Sequence, residues 1–471
     1  MNDREHIVVM KFGGSSVADA SCISRVADIV VGRHDTDTVC VVVSAMKGTT
    51  DMLLDAAVQA ERGDRSYIET IATIEQRHCE TVNTLHGETV STPVLDTVTT
   101  MFQELKGILH GVELVRECTD RTADLIAGFG ELLSIRILES VLLGRRCHPH
   151  VIDPRTCIVT DQRHRNARVN RPVTYERLRQ CVEAADGLCL VPGFIAATVD
   201  GITTTLGRNG SDYTASLVAA AIHADELEIW TDVDGVLSAD PRFVPDAFLV
   251  PELTFAEAAE LSYFGAEVLH PSTMVPVVEL DIPVRIRNTW NPTGGGTLIT
   301  ARAQSPFEIA GIASIDNVAI INVEGSGMVG IPGIAARLFT AIARAQANII
   351  MISQASSEHT VCLCFRSDDA MQALQELERE FASEIVSGEI ERPQLQTGME
   401  IVAIIGEAMR GHPGISGRLF QALGDAQVSV HAIAQGSSER NISFIVSDTE
   451  RERTLRTVHG AFFSSSEGKA S

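Results

Sequence analysis

The feature that most constrains the fold is a strand that leads into two glycines and then into a helix, close to the start of the chain. β-Branched residues predict a buried strand at residues 7–10, Lys11 follows it, and Gly13 and Gly14 precede a helix predicted at residues 17–31. The glycines allow backbone N–H groups to approach a phosphate, and the helix start adds further N–H groups and a positive dipole end. The segment favours a phosphate-binding loop with a mobile lysine charge, although an ordinary strand, turn and helix would give the same pattern.

The same form recurs near residue 208, where a strand leads into a glycine-rich loop and an apolar helix predicted at residues 215–222. Arg208 lies in that loop, and its planar guanidinium can bind a carboxylate or a phosphate at two points. Further strands are predicted at residues 39–43, 188–191, 195–197, 202–206, 227–231, 284–286 and 297–300. Residues 51–143 have helical spacing, and a break at residues 89–93 predicts a hairpin of helices. The pattern predicts an α/β domain with a doubly wound, mainly parallel sheet and a helical insertion.

The last third of the chain contains an internal repeat with an offset of 81 residues, which aligns Gly330 with Gly411 and Gln354 with Gln435. Each copy reads as strand, glycine/proline loop, helix, strand, turn, strand and helix, which predicts two small α+β domains. We therefore divide the chain into a first domain at 1–300, with its insertion at about 51–143, a linker at 301–312, and repeat domains at 313–392 and 393–471.

Charge and cysteine content restrict the partners and the compartment. The net charge of −24 argues against a nucleic-acid partner and against an anionic membrane surface, so any site for an anionic ligand must be locally basic. The ten cysteines form no C-x-x-C pair, and no signal peptide or membrane-length apolar run is seen in the sequence. We expect a cytoplasmic protein without a disulfide framework or a protein-held metal site.

Three further motifs complete an ordered set: residues 229–236, residues 239–242 and residues 263–271. In this order, from about residue 7 to about residue 446, the motifs resemble the aspartate kinases of the amino-acid-kinase superfamily. The repeat copies resemble ACT domains, which are βαββαβ modules that pair and bind free amino acids. The resemblance implies an amino-acid-kinase fold followed by two ACT-like domains. It also implies transfer of phosphate from ATP, with Mg²⁺, to the β-carboxylate of L-aspartate, the first step towards lysine, threonine and methionine.

The resemblance assigns residues to the site. Lys11 would stabilise the transferred phosphoryl group and Asp212 would orient Lys11 or the amino acid, so these two are the predicted catalytic residues. Glu131 would receive the α-amino group of aspartate and Arg208 its α-carboxylate. The ATP side would comprise Lys11, Gly13, Gly14, Ser15, Thr231, Asp232, Asp240 and Arg242, and the aspartate side Ser44, Thr50, Glu131, Arg208 and Ser211. The metal would be the Mg²⁺ that ATP carries.

The resemblance also implies regulation by an end-product amino acid and a homo-oligomer, a dimer or a tetramer, formed through the ACT domains. The predicted effector-binding residues are Met328, Gly330, Asn348, Gln354 and Gln435. The motif at residues 262–266 resembles threonine-sensitive forms, which favours threonine as the effector. The alternative is that the two repeat copies only dimerise the enzyme.

Four residues depart from the family pattern. Glu267 replaces a lysine expected near the nucleotide, Leu237 a tyrosine, Leu132 an arginine and Gly128 a serine. We predict that Glu267→Lys lowers the KM for ATP. Two other functions stay open, a kinase for another amino acid or a nucleotide, and an amino-acid-sensing protein with an impaired kinase domain. Because the sequence ends at Ser471, we expect no homoserine dehydrogenase domain.

Overall fold

The computed structural model describes residues 6–87, 92–185, 187–265, 270–303, 307–328, 331–354 and 359–463. The chain divides into two compact units. Unit 1 comprises Met1–Val236 and Val268–Ala303, and unit 2 comprises Leu237–Glu267 and Gln304–Ser471. Within the described residues, no helix is both long enough and apolar enough to span a membrane.

The described strands are β1 (Ile7–Phe12), β2 (Thr38–Val43), β3 (His150–Val151), β4 (Val159–Thr160), β5 (Cys189–Pro192), β6 (Ile195–Thr198), β7 (Thr203–Thr205), β8 (Glu226–Thr231), β9 (Glu252–Thr254), β10 (Val284–Asn288), β11 (Thr297–Thr300), β12 (Gly311–Glu324), β13 (Ile349–Gln354), β14 (Thr360–Arg366), β15 (Gln394–Ile405), β16 (Ala432–Ala434) and β17 (Asn441–Ser447). The described helices are α1 (Ala20–His34), α2 (Thr49–Arg62), α3 (Ser66–His86), α4 (Thr92–Val115), α5 (Asp120–Gly144), α6 (Arg171–Glu183), α7 (Gly210–Ile222), α8 (Phe255–Tyr263), α9 (Val275–Val278), α10 (Ile334–Arg344), α11 (Ser367–Glu380), α12 (Ala382–Ser387), α13 (Ile415–Asp425) and α14 (Arg451–Phe463).

Unit 1 is built on a twisted sheet with the strand order β3-β5-β2-β1-β8-β10-β11. The neighbouring strands are parallel except β11, which pairs antiparallel with β10. The middle residues of the central strands are buried (Val8, Val9 and Met10 expose no surface), as expected for β-branched runs covered on both faces. The predicted doubly wound, mainly parallel sheet is confirmed. A smaller sheet, β4-β6-β7, lies beside it in the same unit.

Two helices of unit 1 begin elsewhere than the apolar pattern predicted. α1 begins at Ala20 rather than at residue 17, because Asp19 caps it and its side chain accepts a hydrogen bond from the Cys22 N–H at 2.9 Å. α7 begins at Gly210 rather than at residue 215. Its first turn consists of a glycine and polar residues that the apolar pattern did not include, although Gly210, Ser211 and Asp212 are also buried.

The segment predicted as a hairpin of helices contains four helices, α2, α3, α4 and α5. Gly63, at φ +69°, ends α2 in the left-handed conformation that glycine adopts without strain. Thr119 begins α5 by accepting a hydrogen bond from the Thr122 N–H at 3.2 Å. The prediction missed these boundaries because a charged turn of few residues interrupts helical spacing only briefly.

In unit 2 both repeat copies contribute to one antiparallel sheet, with the order β13-β14-β12-β15-β17-β16. The copies join where β12 pairs with β15. The outer strands β13 and β16 also contact each other, since the Ser353 hydroxyl donates to the Ile433 carbonyl at 2.8 Å. α10 and α11 share a core with the first copy, and α13 and α14 share a core with the second.

The opposite face of this sheet contacts α8, which precedes the repeats in sequence by about 50 residues. The Tyr263 hydroxyl donates to the Ile350 carbonyl at 3.1 Å, and the side-chain amide of Asn441 donates to Glu260 at 2.5 Å. α8 therefore belongs to unit 2 by its contacts. The proposed domain boundaries stay a prediction.

Candidate functional site

A cavity of about 610 Å³ lies within unit 1, beside the carboxyl ends of β1 and β2. Ligands of open α/β sheets bind at this edge, where the strand ends and the following loops meet. The lining includes eight of the predicted residues: Lys11, Gly14, Ser44, Thr50, Glu131, Arg208, Ser211 and Asp212. Residues from four separate segments of the sequence are thus brought together by the fold.

Lys11 and Asp212 form an ion pair at one wall of the cavity, with 2.6 Å between the Lys11 Nζ and an Asp212 carboxylate oxygen. Each side chain is 12% exposed, so water screens the pair only weakly. Lys11 comes from the end of β1 and Asp212 from the first turn of α7. The pair holds the lysine charge at the start of a helix whose N-terminal N–H groups also favour an anion.

The backbone of a neighbouring loop approaches Gly14 closely, whereas the surroundings of Gly13 lie at ordinary contact distances. A Cβ on Gly14 would lie 3.0 Å from the Ala45 carbonyl oxygen, and a Cβ on Gly13 would lie 3.4 Å from the Lys11 Nζ. The Lys47 N–H donates to the Gly14 carbonyl at 3.1 Å. The loop after β1 is therefore packed against the loop after β2, which leaves little room for a side chain at residue 14.

Glu131 is a carboxyl group in the buried interior of α5 and is 3% exposed. Burial raises its pKa to about 8, and hydrogen bonds to backbone N–H groups, with Ala45 foremost, offset that rise only in part. Its Oε2 has no hydrogen-bond partner among the residues that the structure describes. A buried acceptor that faces a cavity without a partner fits a cationic ligand group.

Arg208 lies in the loop before α7, and Ser211 lies in the first turn of that helix. Arg208 is exposed, and no carboxylate of the described residues lies within ion-pair distance of it. Ser211 is 8% exposed because it packs against Gly193, whose Cβ would lie 2.6 Å from the serine side chain. The exposed guanidinium beside a fixed helix start suits a carboxylate ligand.

Asp124 lines the same cavity, and the sequence interpretation missed it. The side chain is 2% exposed and accepts hydrogen bonds from the Thr205 hydroxyl at 2.6 Å and from the Arg165 N–H at 3.0 Å. The sequence feature that could have identified Asp124 is the presence of an acidic residue inside an apolar helix, seven positions before Glu131. Two helical turns place both carboxyl groups on one face of α5.

Other predicted residues lie away from this cavity. Thr231 ends β8 and Asp232 follows it, and the threonine hydroxyl donates to the aspartate carboxylate at 3.2 Å. Gly13 and Ser15 belong to the loop after β1 but not to the cavity lining. Asp240 and Arg242 belong to unit 2 and pair with each other at 2.6 Å. Glu267 lies outside the described residues.

The predicted effector residues lie in unit 2. Met328 is buried in the core of the first copy, and Gln354 is exposed at the end of β13. Gln435 lines a cavity of about 320 Å³ in the second copy, together with His412 and Glu439. Asn348 lies just before β13, and Gly330 lies outside the described residues.

Comparison with known protein families identifies the family of this chain. The model of the amino acid kinase family matches residues 6–288. The chain belongs to the amino acid kinase family. An ACT domain model matches this amino acid kinase twice, at residues 321–381 and 402–462, which confirms both repeat copies as ACT domains.

The relatives of this amino acid kinase include aspartokinases. The chloroplastic bifunctional aspartokinase/homoserine dehydrogenase 1 of Arabidopsis thaliana is 37% identical over 464 residues, which cover 97% of this chain and 51% of that protein. The chloroplastic aspartokinase 1 of the same plant is 34% identical over 469 residues, which cover 97% of this chain and 80% of that protein. The chain spans about half the length of the bifunctional relatives it matches in plants.

Solved structures give the same result for the fold. Aspartokinase III of E. coli in complex with aspartate and ADP has a TM-score of 0.78 and 29% identity, over 97% of this chain and 99% of that chain. Its complex with lysine and aspartate has a TM-score of 0.79 and 30% identity, with the same coverage. The resemblance to the aspartate kinases and the amino-acid-kinase fold with two ACT domains are confirmed.

Proposed function

We propose that this amino acid kinase transfers the γ-phosphoryl group of ATP to the β-carboxylate of L-aspartate and releases 4-phospho-L-aspartate and ADP. The observation that carries the proposal is the meeting of Lys11, Glu131 and Arg208 in one cavity. These groups complement a transferred phosphoryl group, an ammonium group and a carboxylate. The E. coli relative whose structure holds aspartate and ADP supports the same substrates.

The amino acid side of the reaction needs orientation more than acid–base chemistry. Arg208 binds the α-carboxylate, and Glu131, in its ionised form, accepts hydrogen bonds from the α-ammonium group. Ser44, Thr50 and Ser211 complete this side. The β-carboxylate is already ionised at neutral pH, so no general base is required for it to attack.

The phosphoryl side needs neutralisation of spreading negative charge. Lys11 stabilises the γ-phosphoryl oxygens during transfer, and Asp212 holds the lysine in position before ATP binds. The N–H groups around Gly13 and Gly14, with Ser15, bind the phosphates. Mg²⁺ would enter with ATP and would supply positive charge that offsets the charge of the phosphates. The assignment of Thr231, Asp232, Asp240 and Arg242 to the nucleotide rests on the family resemblance.

The direct test is ADP release by the purified protein with Mg-ATP and L-aspartate. Turnover that depends on L-aspartate, and that L-glutamate and L-asparagine do not replace, is expected. A phosphorylated product trapped by hydroxylamine would identify an acyl phosphate. ADP release that is independent of aspartate, or supported equally by glutamate, would contradict the proposed substrate.

We also propose that an end-product amino acid, threonine by preference, binds the ACT domains of a homo-oligomer and inhibits the kinase. An effector inhibits only if it favours a conformation that binds or turns over substrate less well. The ADP-release assay repeated with L-threonine, and separately with L-lysine, identifies the effector. If neither amino acid changes the rate, the ACT domains serve assembly and this part of the proposal is wrong.

Gln354→Ala is expected to relieve the inhibition without lowering the rate in the absence of effector. The side chain is exposed at the end of β13, so its removal leaves the ACT core unchanged. Gln396→Ala is the matched control, because Gln396 is an exposed glutamine of β15 outside the predicted effector residues. Equal sensitivity to effector in both variants would remove Gln354 from the effector site.

A further inference from the structure

The connection between β4 and α6 is a basic loop at residues 161–168 that contains Arg163, His164, Arg165 and Arg168. The basic residues stand out in a chain with a net charge of −24. Among them, Arg165 lines the cavity. The side chain of Arg165 is 57% exposed, and its nearest carboxylate in the described chain is Asp120, at 3.8 Å. That separation is too long for a hydrogen bond, so the guanidinium is available to a ligand.

The Asp124 carboxylate contacts residues 164 and 165 in the middle of this loop. Its two carboxylate oxygens accept the Arg165 N–H at 3.0 Å each, and the Nδ1 of His164 lies 2.8 Å from one of them. The Thr205 hydroxyl donates to the other oxygen at 2.6 Å. Asp124 is 2% exposed, and every one of these donors helps to keep its charge buried.

The base of the loop is closed by a second carboxylate. Asp161 accepts the N–H groups of Arg163 at 3.1 Å and Arg168 at 2.9 Å, and its own N–H donates to the Arg168 carbonyl at 2.9 Å. Arg165 has φ +66°, a conformation that a non-glycine residue rarely adopts. Such a backbone persists where its surroundings fix it, and here two buried or partly buried carboxylates do so.

The cavity is lined by four cationic and four acidic side chains, and most of the acidic ones have assigned partners or roles. The cationic side chains are Lys11, Lys47, Arg165 and Arg208, and the acidic ones are Asp51, Asp124, Glu131 and Asp212. Asp212 is paired with Lys11, and Asp124 is committed to the loop. The proposed substrate carries two carboxylates, whereas the proposed function assigns a guanidinium to only one of them.

We propose that Arg165 is a second carboxylate-binding residue of the cavity, which contacts the side-chain carboxylate of the acidic amino acid, and that Asp124 is its positioning residue. The inference rests on the proposed function, since it names how the same site selects a dicarboxylic substrate. One carboxylate oxygen attacks the phosphorus and the other stays with Arg165. Amino acids without the second carboxylate lose this contact and leave the guanidinium without a partner.

Arg165→Met tests the contact, with Arg163→Met as the matched control. Both arginines belong to the same loop, are more than half exposed and lie more than 3.5 Å from their nearest carboxylate, but Arg163 does not line the cavity. Arg165→Met is expected to raise the KM for aspartate by about tenfold or more, with the KM for ATP unchanged. Arg163→Met is expected to leave both constants unchanged, and Arg165→Lys to restore part of the loss.

Asp124→Asn tests the positioning role. If Asp124 acts through Arg165, the double variant Asp124→Asn/Arg165→Met has a KM for aspartate no higher than the larger of the two single effects. Independent effects, which multiply in the double variant, would overturn the positioning role. A merely structural role would instead lower the melting temperature and leave the KM for aspartate unchanged.

The failures of the two proposals are distinguishable. Absence of aspartate-dependent ADP release by the unaltered protein would contradict the proposed function. An active unaltered protein together with an unchanged KM for aspartate in Arg165→Met would overturn only the present inference. A raised KM for ATP with an unchanged KM for aspartate would place Arg165 on the nucleotide and would overturn it as well.

Discussion

Replacing Lys11 with methionine is expected to lower kcat for aspartate phosphorylation by about 100- to 1,000-fold, the usual effect of removing one positioned stabiliser of transition-state charge. Methionine fills a similar volume but carries no charge, so the phosphoryl oxygens lose the cation that the Lys11–Asp212 pair holds 2.6 Å from the carboxylate. The KM for aspartate is expected to change much less, because the proposed role of Lys11 concerns the phosphoryl group. Steady-state ADP release at saturating aspartate and ATP measures the effect.

The matched control is Lys106→Met, which removes an exposed lysine that pairs with Glu75 outside the cavity. Exposed pairs contribute little to stability, so kcat and the melting temperature should stay near those of the unaltered protein. Because Lys11→Met leaves Asp212 without its partner, its melting temperature must be measured beside the rate. A folded Lys11→Met variant with at least half of the unaltered kcat would contradict the catalytic role of Lys11.

The second large effect concerns the pH dependence of aspartate binding. Burial raises the pKa of Glu131 to about 8, so below that pH the carboxyl group in the empty site is protonated. In the proposed function the α-ammonium group of aspartate binds the ionised form, so aspartate binding would release a proton. The KM for aspartate is expected to fall by about tenfold per pH unit as the pH rises towards 8, and to level off above it.

Glu131→Gln removes the titrating group while keeping its size and one acceptor. We expect the KM for aspartate to rise by about 10- to 150-fold at pH 8, as for the loss of a hydrogen bond to a charged group, and to lose its pH dependence between pH 6 and pH 8. Glu139→Gln is the matched control, because Glu139 lies on the same helix but pairs with Arg136 away from the cavity. A Glu131→Gln variant that keeps the pH dependence would assign it to another group.

The same pKa shift predicts an effect on stability with a definite sign. Between the ordinary value of 4.5 and about 8, the unfolded chain has released the Glu131 proton while the folded chain retains it. Folding then takes up a proton, so the contribution of Glu131 to stability falls as the pH rises through this range. Glu131→Gln should therefore raise the melting temperature of the ligand-free protein at pH 8 and change it little at pH 4.

Several residues that line the cavity could be predicted because the glycine and charge patterns that single them out lie within short segments of the sequence. Lys11 and the glycine pair stand beside a strand of β-branched residues, and Arg208 and Asp212 stand in a second segment of the same form. Glu131 required the family resemblance, since an acidic residue within an apolar helix has no local signal for the group it binds. Asp124 is likewise an acidic residue within an apolar helix, and its partners at residues 164, 165 and 205 lie 40 or more positions away.

Local patterns were enough to predict six strands of the kinase sheet (β1, β2, β5, β8, β10 and β11), the glycine pair after β1 and the two ACT copies, because periodicity, glycines and an 81-residue offset are properties of neighbouring or repeated residues. The short strand β3 was not predicted. Three further features are visible in the three-dimensional structure alone: both copies share one sheet through β12 and β15, α8 packs on that sheet, and a basic loop presents Arg165 to the cavity. The physical reason is common to all three. Backbone pairing, burial and ion pairing between distant segments depend on which surfaces the fold brings together, and no local pattern records that choice.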